Sequence, residues 1–224
     1  MISFLAPILS VVFGVAIVLL YSRSKPLNLK LFLAFSGAFL LSTTIFELLP
    51  EVYKNVDTKQ IGVFIMGGIL LQILLEFYSK GAEHGHLHHH DSNKRFPWFL
   101  FISLAIHAFF EGFPLKDHHN IIIGVVIHKI PIAVLITTYL LKSKLPKSQV
   151  VLFLVVFTLM TPLGSITAEL LSISPTLIYS INAIVIGMFL HISTIILFES
   201  SEGHHFNLNK ILMIIGAVVL AYFI

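Results

Sequence analysis

The chain is built from long apolar blocks separated by short polar intervals. It shows neither the strict alternation of a half-buried strand nor the narrow stripe of an amphipathic surface helix. The blocks fall at about residues 2–21, 31–50, 61–79, 96–116, 120–141, 149–171, 175–198 and 206–224. Each is close to the roughly 20 residues that an α-helix needs to cross the hydrocarbon core of a bilayer. The last is the weakest of the eight, because Lys210 stands near its start. The pattern predicts an all-α, polytopic membrane protein: an eight-helix bundle forming one transmembrane domain over 1–224. Its longest connection, 80–95, is a loop within that domain, and no interval is long enough for a soluble one. The first block has no basic segment before it and no small-x-small cleavage site after it. It is therefore expected to be a retained span rather than a signal peptide.

Composition agrees with this pattern. Hydrophobic residues make up 57% of the chain and charged residues only 11%, where a soluble domain carries about 25% charged. Mean hydropathy is +0.95. The formal net charge of +3 does not point to nucleic acid, because the basic residues are confined to short loops. They work instead as topology determinants. Arg23, Lys25, Lys30, Lys80, Lys94, Arg95, Lys142, Lys144, Lys147 and Lys210 follow the odd-numbered spans. The alternate loops hold only Lys54, Lys59 and Lys116. Basic loops stay cytoplasmic, so both termini are expected on the extracytoplasmic side and 80–95 in the cytoplasm. The chain has no cysteine and twelve histidines. Disulfides and thiolate ligands are thereby excluded, and any metal chemistry must use imidazole and carboxylate.

Ionisable groups inside spans cost about 2.5–3.5 kcal/mol each at a helix centre and are functional candidates by default. The fourth block holds His107 and Glu111, which at i and i+4 project from one helical face. The fifth holds His128 and Lys129. Imidazole nitrogen with carboxylate oxygen suits zinc and other first-row divalent ions. A structural ion pair between Glu111 and Lys129 would account for half of these residues without a metal. Pro114 and Pro131 release the carbonyls of Phe110 and Ile127 beside the cluster, either as ligands or to let the helices bend. Gly112 allows a close helix approach, and Gly67, Gly68, Gly124, Gly164 and Gly187 offer further close-packing points.

HAFFEG at 107–112 and HKIP at 128–131 resemble the paired motifs of the ZIP (Zrt/Irt-like) divalent-metal transporters, H-N-x-x-E/D-G in the fourth helix and H-x-x-P-E/H/A in the fifth. FELLPE at 46–51 resembles the end of that family's second span, and GMFLHIS at 187–193 the start of its seventh-span motif. The eight spans, outward termini and a histidine-rich third loop match as well. The resemblance implies import of zinc into the cytoplasm across the cell membrane, with Fe2+, Mn2+ or Cd2+ as further cargo. It places the first metal on His107, Glu111 and His128. The chain departs from the full two-metal motif at Ala108, Lys129, Ile132 and Thr161, so the ligands peculiar to the second metal are missing. Some branches carry H-K-x-P in the fifth helix, and here Lys129 is expected to stand in for the second ion beside Glu111. Phe39 takes the place where some bacterial relatives offer a methionine ligand.

Around this site the readings stay open. Glu47, near the outer end of the second span, is either an entrance group or an interfacial carboxylate. His191 and Glu199 are either exit stepping-stones or a hydrogen-bonding histidine and a loop acid. Glu76 is similarly ambiguous. The tract EHGHLHHHD supplies His84, His86, His88, His89 and His90 as an auxiliary metal-binding loop. Its deletion is expected to spare transport. The partners expected are metal ions and the lipid bilayer, with no nucleic acid, and a homodimer is compatible with the sequence. The chain is not expected to be an enzyme. The alternatives are a membrane-embedded zinc hydrolase, which would need an open metal position and a separate acid or base, and a metal-binding sensor on the same fold.

Overall fold

The structure is a computed structural model and describes residues 2–21, 29–55, 57–79, 96–116, 119–170, 174–199 and 208–224. Each expected span is a helix, with ends within a few residues of those read from the sequence. They are α1 (Ile2–Tyr21), α2 and α3 (Leu29–Thr43 and Leu49–Asn55, one span), α4 (Thr58–Ser79), α5 (Trp98–Glu111), α6 (His119–Lys142), α7 (Lys147–Leu170), α8 (Pro175–Glu199) and α9 (Leu208–Phe223). Among the described residues, seven spans are long and apolar enough to cross a membrane. The 16 residues of α9 rise about 24 Å, short of the ~30 Å of a bilayer core. Lys210, the residue that weakens this span in the sequence, is buried. Its ammonium donates to the carbonyl of Leu197 at the end of α8, where helix carbonyls have no intrahelical partner.

Two spans are less regular than the sequence suggests, and proline is the cause in both. Pro50 has no N–H to offer the carbonyl of Phe46. The turn just before it, Thr44–Leu48, widens into a π-helix in which Leu49 N–H bonds back to Thr44. The fourth span does not run as one helix to Lys116. It stops at Glu111, Gly112 N–H bonds to Phe109, and Phe113–Leu115 form a 3-10 turn containing Pro114. Glu111 is therefore the last residue of α5.

Helices in lipid gain nothing from hiding apolar side chains from one another, so close backbone approach matters more than in water. Gly68 on α4 and Gly187 on α8 meet in this way. A Cβ at Gly68 would run into the carbonyl of Ile184, and one at Gly187 into that of Ile65. Gly112 and Gly164 do the same between the end of α5 and α7, against the carbonyls of Thr161 and Phe109. Gly67, expected to be a packing point, has nothing within 4 Å and faces outward.

Two runs of packed helices can be followed among the described residues, and they are joined by an extensive contact of α2 with α6. Along one, α4 packs on α8, α8 on α2, and α2 on α9; along the other, α1 packs on α6 and α7, and α7 on α5. The groups meet where α2 lies against α6 and α4 against α5. Large apolar side chains such as Leu70, Phe77, Phe99 and Leu152 are exposed on the outer faces of the helices, as a lipid-facing surface requires.

Candidate metal site

His107 is placed by α5, in its third turn, and Glu111 lies one turn further on the same face. His128 and Lys129 sit mid-way along α6, just before Pro131. All four are buried. They wall a small cavity of about 10 Å3, room for roughly one water-sized occupant. Leu104, Ile132, Phe157 of α7 and Ile192 of α8 complete its lining, so the cavity lies where the two helix groups meet.

The charged pair is formed. Lys129 Nζ stands 3.1 Å from Glu111 Oε2 and 4.5 Å from the centre of the Phe157 ring, so the ammonium is held by a carboxylate and an aromatic face together. The other carboxylate oxygen, Glu111 Oε1, has no hydrogen-bond partner among the described residues. The Thr161 hydroxyl nearby is turned to the carbonyl of Ala108 at 2.9 Å. Ala108 and Thr161 are two of the positions at which the sequence departs from a two-metal motif. They are joined to each other, and Lys129 occupies the polar space beside them.

The two imidazoles face one another with ring centres 6.4 Å apart and planes at 65°. Two imidazoles on one tetrahedral zinc ion would hold their centres roughly 5 Å apart. As placed, no three His, Asp or Glu side chains among the described residues converge closely enough to hold an ion. Glu111 is held by Lys129, and the two rings stand about an ångström wider than a shared ion would set them.

One residue of this neighbourhood went unnoticed in the sequence. Gln72 of α4 is fully buried, and its side-chain oxygen is 3.1 Å from His107 Nδ1. The available signal was a lone amide within the apolar run ILLQILLE, one turn before Glu76. Of the outlying candidates, Glu47 lies in the π-turn of the second span, and its carboxylate accepts from Asn120 Nδ2 at 3.1 Å. His191 Nε2 lies 2.8 Å from Glu76 Oε2, so α8 and α4 join these two in one partly buried pair. His84, His86, His88, His89 and His90 lie outside the described residues, as does the side chain of Glu199.

No curated protein matches this chain. The family model described as ZIP Zinc transporter matches residues 79–223, which takes in both site helices together with α7, α8 and α9. The chain belongs to the ZIP zinc transporter family.

Proposed function

We propose that this protein imports zinc through the cell membrane into the cytoplasm, with the ion held in passing by His107, His128 and Glu111. The observation that carries this reading is the buried cavity between the two helix groups, walled by two imidazoles, a carboxylate and a lysine. Glu111 has a division of labour available to it. Oε2 stays with Lys129 while Oε1 turns to an ion, and the two rings close by about an ångström. Lys129 balances the carboxylate much as a second ion would, leaving one transported ion per chain. An incomplete protein shell suits a carrier, because the ion must leave again. Fe2+, Mn2+ and Cd2+ are served by the same nitrogen and oxygen donors.

The packing supports alternating access by one helix group moving against the other. Helices α5 and α6 carry the ligands and move with α1 and α7, and α2, α4, α8 and α9 form the frame. With the basic loops cytoplasmic, Glu47 and Asn120 lie on the entrance side. Glu76 and His191 lie toward the loop 80–95 and serve release, followed by Glu199 and the loop histidines.

Zinc flux into proteoliposomes tests the reading. Wild-type protein is expected to transport, and His107→Ala to lose at least about 100-fold while remaining folded. Equilibrium binding should count one tight zinc per wild-type chain; two would contradict the role given to Lys129. Flux unchanged in His107→Ala would remove the site from the mechanism. Zinc binding without flux in folded wild type would turn the reading to a sensor.

A further inference from the structure

We infer that Gln72 is a positioning residue for His107, acting from the opposite helix group to select the ring tautomer that can take a metal. The inference rests on the transport site proposed above.

The buried residues of α4 are Ile61, Ile65, Gly68, Gln72, Leu75 and Ser79. Their spacing of three and four traces one narrow face, and Gln72 is the amide on it. That face is pinned against α8 by Gly68 and Gly187, so the backbone position of Gln72 is fixed by a contact that has nothing to do with metal. The amide oxygen can only accept a hydrogen bond. At 3.1 Å from His107 Nδ1 it requires the proton of a neutral ring to sit on Nδ1. The lone pair is then on Nε2, the nitrogen left to bind an ion. Metal-ligating histidines are commonly fixed in this way by a partner on the other nitrogen, and losing that partner costs about 10–100-fold in affinity.

The partner here comes from across the moving boundary. Gln72 belongs to the frame and His107 to the group that carries the ligands. A displacement of one group by more than about an ångström carries this contact beyond hydrogen-bond range. The ring is thus oriented in the arrangement seen here and loses its orienting partner in the other. Gln72 thereby makes affinity depend on which way the site faces.

The test uses the full-length chain in detergent, with zinc titrated calorimetrically and histidine nitrogens read by 15N NMR. Gln72→Leu keeps size and removes the acceptor; Gln72→Glu keeps an acceptor and removes the amide donor. We expect Gln72→Leu to bind zinc 10–100-fold more weakly and Gln72→Glu to stay within about 3-fold of wild type. The Nδ1-protonated signature assigned to His107, by its absence in His107→Ala, should vanish in Gln72→Leu and persist in Gln72→Glu. Gln72→Met, also without a strong acceptor, replaces the leucine variant if that one does not fold. Wild-type affinity and an unchanged His107 signature in Gln72→Leu, with binding still lost in His107→Ala, would overturn the inference and leave the site standing. Binding retained in His107→Ala would overturn both.

Discussion

The α4–α8 crossing and the α2–α6 boundary are both close contacts between apolar helices, yet they are made of different parts. At the crossing, Gly68 and Gly187 set backbone against backbone, and a single added carbon on either would meet a carbonyl oxygen. At the boundary, Gly124 of α6 faces the Thr43 hydroxyl and a methyl of Leu40 on α2, the ends of side chains that can turn. The Thr43 hydroxyl is bonded within its own helix, to the carbonyls of Phe39 and Leu40 at 3.1 Å each. Polar contacts that do cross between the groups, Gln72 with His107 and Asn120 with Glu47, are single hydrogen bonds of about 1 kcal/mol net. Backbone interlocking makes a frame, and side-chain contact leaves a surface along which the helices can slide. The proposed ion site is likewise closed from the frame by a side chain, Ile192 of α8.

The comparison is broken most severely at the charged pair beside the boundary. Lys129→Met leaves Glu111 buried without its cation. Removing one partner of such a pair costs about 3–5 kcal/mol, so the variant is expected to unfold at a markedly lower temperature in detergent. Zinc should recover more of that loss than it adds to wild type, because an ion can then take the place of the ammonium. Equal zinc shifts in the two proteins would separate Lys129 from the metal.

A smaller effect sharpens the frame side. Gly187→Ala forces α4 and α8 apart and is expected to cost about 1–3 kcal/mol, seen as a lower unfolding temperature. Gly67→Ala, one position from the crossing but in open space, should lie within about 0.5 kcal/mol of wild type. Similar losses in both would mean that the crossing is not the rigid element.

Smaller still is the effect expected at the proposed release pair. Glu76→Gln keeps the shape of the side chain and its contact with His191, but removes the charge. Zinc flux is expected to fall roughly 3- to 10-fold, with calorimetric affinity at the His107 site unchanged within about 2-fold. A parallel loss of affinity would place Glu76 within the binding site instead.

The eight spans were legible because lipid demands about 20 apolar residues per crossing, and that demand is written locally. His107, Glu111, His128 and Lys129 were legible for the converse reason: each is a costly exception to it. Gln72 is the same kind of exception, but an uncharged amide is a weaker signal than a carboxylate, and its partner lies 35 positions away in the chain. The end of α5 at Glu111 could be suspected from Gly112 and Pro114, yet whether proline bends a helix or stops it depends on what packs there. Here α7 does, through Gly164. The division into two groups was not legible at all. It depends on which glycines meet a neighbour, and Gly67 and Gly68 are adjacent in sequence with opposite outcomes.

The central claim is that the ligand-bearing helices move against the frame, and a removable bond across the boundary tests it directly. A Cβ added at Gly124 would lie 3.7 Å from the Cβ of Thr43, within the range of about 3.5–4.5 Å that a disulfide spans. The chain has no cysteine of its own, so Thr43→Cys with Gly124→Cys introduces the only thiols. Zinc flux would be measured in proteoliposomes after oxidation and again after reduction, beside each single variant. The account predicts that oxidation stops flux in the double variant while calorimetric zinc binding remains, and that reduction restores it. Undiminished flux through fully cross-linked protein would contradict it.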